Sequence, residues 1–277
     1  MRFLFSLITL GAACYGLWRV SETQPELRTK VEEILNTGSF NTLEVRYTAN
    51  QIMDAHRRSL LKNSRHKFLE PSMKFYPYLL MEVKYSVNEK KTKEGMMLWD
   101  LNDGEMVINT KHWEKTHGFG DCISAGTDRH EFRIINALAS KGGSADRETL
   151  FKTLHVENEV LDAWIESCRR KQLIVQSGNR YRLHLEKPLF QKIPYTKIDE
   201  RLVTKPHRNT DRVANRFSLS QIEKLSIAAF GGDFAIRKTV DLYLPVHCIV
   251  VQNPDGSIHT SHWNALNGKQ MRSHFID

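Results

Sequence analysis

Residues 108–113 read INTKHW, and residues 258–263 read IHTSHW. Both are Ile-x-Thr-x-His-Trp. Both are followed by a glycine five places after the tryptophan (Gly118, Gly268), and both stand behind an Asp-Gly pair, Asp103-Gly104 and Asp255-Gly256. Asp-Gly is a tight-turn signal, and the alternating phrase behind it predicts the second strand of a hairpin. The echo extends upstream, where Arg46-Tyr-Thr-x-Asn-Gln-Ile52 matches Arg216-Phe-Ser-x-Ser-Gln-Ile222. Thr48 with Gln51, and Ser218 with Gln221, have capping-box spacing, so a helix is expected to begin at each. The second has Ile222, Leu225 and Ala229 at helical spacing and stops at Gly231-Gly232. Each helix is followed by an aromatic and β-branched run around a proline, residues 76–83 and 243–250, which reads as a strand. The expectation is one helix–strand–hairpin unit written twice, as self-similarity implies.

The stretch between the copies has a different rhythm. Phe132, Ile135, Leu138 and Ala139 mark one helix face that ends at Gly142-Gly143. A second short helix is capped at Ser144 or Asp146, and a third runs from about Glu157 to Lys171 with Val160, Leu161, Trp164, Ile165 and Cys168 in a stripe. Leu173–Val175, the turn Gln176–Asn179 and Tyr181–Leu185 then predict a hairpin. Three helices followed by a two-stranded wing resemble the winged-helix family, chiefly in the stretch DRETLFKTLHVENEVLDAWIESCRRKQLIVQSGNRYRLHL, residues 146–185. The resemblance implies a third helix that enters the DNA major groove. Here that helix carries Glu157, Asn158, Glu159, Asp162 and Glu166, and carboxylates are repelled by phosphates. Arg169, Arg170, Lys171, Arg180 and Arg182 are the candidate nucleic-acid contacts. The acidic helix disfavours nucleic acid and favours an unknown protein partner.

With 277 residues, 40% hydrophobic and 26% charged, the chain has a globular composition suited to two or three small domains. Its net charge of +8 is concentrated in residues 46–95. Arg57, Arg58, Lys62, Arg65, Lys67, Lys90, Lys91 and Lys93 there are the candidate anionic-surface contacts, set against the plainer reading of a solvated loop and helix face. Four scattered cysteines, Cys14, Cys122, Cys168 and Cys248, make neither a disulfide framework nor a zinc motif, which suits a reducing compartment and a cytoplasmic body. Residues 3–18 are uncharged between Arg2 and Arg19. They are read as a single-pass membrane anchor, at the short end of the ~17–25 residues required. A signal peptide cleaved after Ala13, a lipoprotein site at Cys14 and a buried helix are the alternatives.

The expected organisation is α+β: an anchor or signal segment (1–20), a linker or helix (21–45), a first α+β module (46–127), a winged-helix domain (128–188), a linker (189–215) and a second α+β module (216–277). No P-loop, GxSxG, HExxH or GxGxxG occurs. Ser59–Lys62 spells SxxK without its companion Lys-Thr-Gly, and Gly231–Phe234 imitates half of a nucleotide-cyclase signature without its acids. His112 and His262 are weak metal candidates, with His117, Cys122, His247 and Cys248 as further ligands, and no cofactor is called for. These features point to a non-enzymatic, membrane-anchored binding or adaptor protein. The alternative is a membrane-tethered DNA-binding regulator; an exported hydrolase or metal-binding protein is least supported.

Overall fold

The computed structural model describes residues 38–88, 91–206 and 210–271. Residues 3–18 and Lys90 lie outside them, and no described helix is long and apolar enough to cross a membrane. The architecture is mixed α+β, with seven helices and thirteen strands among the described residues. Ten strands form one mixed sheet and three form a second. The chain divides into two compact units. The first holds residues up to Pro77, Arg201–Ser218 and the chain from Asp241, and the second holds Tyr78–Glu200 and Leu219–Val240.

In the first unit, β1 (Ser39–Leu43) pairs antiparallel with β10 (Leu202–Pro206) and meets β12 (Ala235–Gln252) in parallel at Thr42 and Tyr243. The segments expected as linkers, 21–45 and 189–215, thus each supply a strand. The Thr42 hydroxyl donates to the Tyr243 carbonyl at 2.9 Å, so this buried polar side chain is satisfied. β12 also pairs antiparallel with β13 (Ile258–Asn264) across the Asp255-Gly256 turn, as the sequence predicts. Helix α1 (Ala49–Ala55) begins at Thr48, whose capping box with Gln51 is formed on both sides. It is followed by the single turn α2 (Arg57–Leu60). Ile52 of α1 packs with Ile249 of β12 and Trp263 of β13, flanked by Met53, Leu60 and Phe68. His56 lies on Trp263 with ring centroids 4.5 Å apart.

In the second unit, β3 (Ser72–Asn88), which starts in the first unit, pairs antiparallel with β4 (Lys91–Asp100), and β4 with β5 (Met106–Asn109). The basic run after Asn88 is therefore strand from Lys91 onward, not loop. The INTKHW phrase departs from expectation. Only its first two residues continue β5; residues 110–113 turn, and Trp113 takes φ +54°, before the two-residue β6 (Glu114–Lys115). IHTSHW, by contrast, is strand throughout. The turn follows from hydrogen bonding: the Asn109 side chain accepts from Lys111 N at 2.8 Å, and Thr110 N donates to Lys197 O at 3.0 Å. Both bonds draw the backbone out of the ladder. Residues 196 and 197 bond along this sheet, with Thr196 N on Met96 O and Lys197 N on Ile108 O.

The rest of the second unit is helical and centres on Phe119. Helices α3 (Phe119–Ser124), α4 (Arg129–Ser140) and α7 (Leu219–Phe230) surround a ring cluster in which Phe119 lies 5.2 Å from Trp99, 5.0 Å from Phe190, 6.1 Å from Phe132 and 6.2 Å from Phe230. After α4 come β7 (Ser144–Asp146), α5 (Arg147–Leu154), α6 (Asn158–Arg170), β8 (Ile174–Ser177) and β9 (Arg180–Leu183). These strands make a separate sheet in the order β7-β9-β8. Asp146 caps α5 through Thr149 N at 2.8 Å, one of the two caps expected. α7 packs against β3, and its Ser226 hydroxyl lies 3.9 Å from the Met81 sulfur.

Candidate functional site

The strongest recurrence in the structure is not the quoted phrase but Trp-Asx-x-x-Asx-Gly, residues 99–104 and 263–268. In the second unit β4 ends at Asp100 and the chain turns. Asp100 Oδ1 accepts from Asn102 N at 2.8 Å, Asp103 Oδ1 accepts from Glu105 N at 2.9 Å, and Gly104 N donates to Asp100 O at 3.0 Å. In the first unit β13 ends at Asn264 and the same bonds recur. Asn264 Oδ1 accepts from Leu266 N at 2.8 Å, Asn267 Oδ1 from Lys269 N at 3.0 Å, and Gly268 N donates to Asn264 O at 2.9 Å. Asp100 N bonds Glu105 O, and Asn264 N bonds Lys269 O, both at 2.9 Å. The two glycines have φ +74° and +65°, where a side chain is strained. The register agrees as well: Tyr78, which follows Pro77, pairs with Asp100, and Val246, which follows Pro245, pairs with Asn264.

The two turns differ in charge. In the second unit the outer carboxylate oxygens, Asp100 Oδ2 and Asp103 Oδ2, both take the Lys115 ammonium, the former at 3.0 Å. Tyr78 OH donates to Asp100 Oδ2 at 2.6 Å and accepts from Trp113 Nε1 at 3.2 Å. The Asp100 side chain is 1% exposed, Lys115 18% and Asp103 26%. Two carboxylates share one ammonium, so one of them is held toward its protonated form. Burial, then the charge of Asp100, push Asp103 up to about 7 against the pull of Lys115. Burial opposes the charge on Lys115, but the two aspartates outweigh it and raise its pKa. Burial and then Asp100 push Tyr78 well up. Next to this corner, Glu105 accepts from Gly118 N at 2.8 Å, Gly120 N at 3.1 Å and the Thr116 hydroxyl at 2.8 Å, which fixes the entry to α3. Burial raises Glu105 above its ordinary value in spite of those bonds. Chemically the corner can hold or pass a proton at Asp103. The nearby Cys122 is fully buried with its thiol pushed up to about 12 by burial, so it is no nucleophile at neutral pH.

The residues singled out from the sequence are distributed as follows. His112 is exposed in the 110–113 turn of the second unit, and His262 is buried in β13 of the first. His247 donates from Nε2 to Tyr47 O at 2.8 Å, which is a packing role. No group of three or more His, Cys, Asp or Glu among the described residues is placed to hold a metal. Arg57, Arg58, Lys62, Arg65 and Lys67 are exposed in the first unit, and Lys91 and Lys93 are exposed in the second. Among the nucleic-acid candidates, Lys171 binds the buried Glu131 at 2.7 Å and Gly126 O at 2.7 Å, Arg169 pairs with Glu166 at 3.0 Å, and Arg180 bonds Ser144 Oγ at 3.0 Å. Arg170 and Arg182 are exposed.

The outward face of α6 carries Asn158, Glu159, Val160, Asp162, Ala163 and Glu166. Arg147 of α5 reaches across to Asp162 with two bonds, 2.8 and 3.0 Å, and to Asn158 at 3.0 Å. One turn beyond Arg147, Phe151 is 37% exposed, and Val160 is 36% exposed. No known protein family, curated protein or solved structure matches this chain.

Proposed function

We propose that the chain is a non-enzymatic binding protein, an adaptor held at a membrane by residues 3–18, in which residues 128–188 are a winged helix used for protein contacts. The order helix, strand, two helices, two strands, with one three-stranded sheet, supports the winged-helix reading. The observation that carries the role is the face of α6. In a DNA-reading winged helix this face meets the major groove, and here it presents a stripe of Glu159, Asp162 and Glu166 with Val160 at its edge. Lys171 is taken up by Glu131, Arg169 by Glu166 and Arg147 by Asp162, so these charges cancel in pairs and, with Glu159 added, the face lacks the net positive charge of a DNA reader. An acidic stripe bordered by an exposed apolar side chain suits a partner segment that sets basic beside apolar groups.

The matched turns and their helices support a duplication of one helix–hairpin–turn element, in a register set by Trp99 and Trp263 rather than by INTKHW and IHTSHW. The helix of each copy packs on the hairpin of the other. Ile52 lies against β12 and β13, and Ser226 against β3. The exposed Arg57, Arg58, Lys62, Arg65 and Lys67, in the copy nearer the proposed anchor along the chain, then form an anionic-lipid-facing surface.

Titration of duplex DNA at physiological salt, read by fluorescence anisotropy, is the test. The proposal expects no binding tighter than the roughly 10⁻⁴–10⁻⁶ M of generic electrostatic contact. Nanomolar binding that is lost in the Arg170→Ala/Arg182→Ala variant would overturn it in favour of a DNA-binding regulator.

A further inference from the structure

The matched turns assign a function to the uncharged one. In the second unit the outer oxygens of Asp100 and Asp103 converge on a single atom, Lys115 Nζ. In the first unit the corresponding outer atoms are Asn264 Nδ2 and Asn267 Nδ2. Their orientation is fixed, because the Oδ1 of each accepts a backbone N–H, from Leu266 and Lys269, so the amides cannot be flipped without losing those bonds. Both Nδ2 atoms are buried and have no hydrogen-bond partner, and Asn264 is 1% exposed. Buried donors are rarely left without acceptors, because each one forfeits its hydration with nothing in return. Two such donors, held by the same turn that elsewhere focuses two oxygens on one ammonium, make a built position for a group of the opposite kind.

We propose that Asn264 and Asn267 bind a carboxylate, each amide donating to one of its oxygens. Charge and surroundings agree with this. His262, two residues before Asn264 and on the same strand face, is 9% exposed, and its Nδ1 also lacks a partner. Burial and the charge of Lys74 lower its pKa, so it is a neutral ring in a positive field. Lys74 pairs with Asp211 at 3.7 Å, and both side chains are well exposed, which screens that pair. Asn267 is half-buried as a residue but its Nδ2 is covered, so a ligand reaches the two amides only when the Asn267 side of the turn shifts. An ammonium is excluded, since amide nitrogens cannot accept.

The test is an NMR titration of the full-length protein, labelled at asparagine side-chain nitrogen, with sodium acetate against sodium chloride at equal ionic strength. The Asn264 and Asn267 NH₂ signals should move together and saturably, with a Kd of about a millimolar, while the Leu266 and Gly268 backbone signals report an intact turn. A second arm uses aspartate capped at both ends. Tighter binding of the capped residue identifies a protein side chain as the natural source, and tighter binding of acetate identifies a small acid. Asn267→Asp, at the half-buried position, keeps the turn acceptor but places like charge against the ligand, and should weaken acetate at least tenfold. Signals that do not move with either carboxylate, or that move equally in Asn267→Asp, would overturn the proposal and leave a resident water as the partner of both amides.

Discussion

Replacing Lys115 with methionine probes the charged corner directly. Asp100 is 1% exposed and keeps only the Tyr78 hydroxyl, at 2.6 Å, on its outer oxygen once the ammonium at 3.0 Å is gone. Removal of one partner from a buried ion pair typically costs about 3–5 kcal/mol, because the remaining charge is uncompensated. Replacing the whole set with neutral groups costs far less, and the first unit supplies the pattern: asparagines at 264 and 267 close the same turn with the same backbone bonds. Lys115→Met should therefore lower stability by about 3–5 kcal/mol. Adding Asp100→Asn and Asp103→Asn to it should restore more than half of that loss. Urea unfolding at pH 7, followed by tryptophan fluorescence, measures both. A Lys115→Met loss below about 1 kcal/mol, the level of an exposed pair, would refute the claim that the corner is a buried, charge-compensated lock. So would a triple variant no more stable than the single one.

Three further outcomes follow from the same geometry. Asp103 has a folded pKa of about 7 against an ordinary 3.8, so the folded state binds more protons between those values. Its contribution is therefore lost as pH rises through that window, with a slope of at most about 1.4 kcal/mol per pH unit. Urea midpoints from pH 4 to 8 should show this fall in the wild type and not in Asp103→Asn. Gly120→Ala should lower the melting temperature sharply, because an added Cβ would lie 2.2 Å from the Asp103 carbonyl oxygen, whereas Gly126→Ala meets nothing within 4 Å and should cost only its backbone strain at φ +59°. Ile52→Ala should cost about 2–5 kcal/mol in urea unfolding, since Ile52 is 2% exposed against Ile249 and Trp263.

Local signals carried much of the fold. The Thr48–Gln51 box and the Asp146 cap are local hydrogen-bond chemistry and were legible in the sequence, as was α6, expected over 157–171 and found at Asn158–Arg170. β7 is three residues long and has too short a pattern to read. β3 and β12 run beyond their apolar cores, because ladder bonds hold charged residues such as Lys84 and Arg237 in strand that periodicity alone reads as loop. INTKHW has strand composition, yet Lys197 and the Asn109 side chain draw it into a turn, and neither contact is visible in the six residues. The charged corner was missed because Tyr78, Asp100 and Lys115 are far apart in the chain. The signal that could have found it was present: Trp-Asx-x-x-Asx-Gly recurs at 99 and 263, an echo as long as the one quoted and rooted in turn chemistry.

The role of the α6 face is the central claim, and site-specific photo-crosslinking from position 160 of the full-length protein in its own cells tests it most directly. A discrete protein adduct that disappears when Glu159 and Glu166 are replaced by lysine is the predicted result. A nucleic-acid adduct at that position, insensitive to those replacements, would contradict the account.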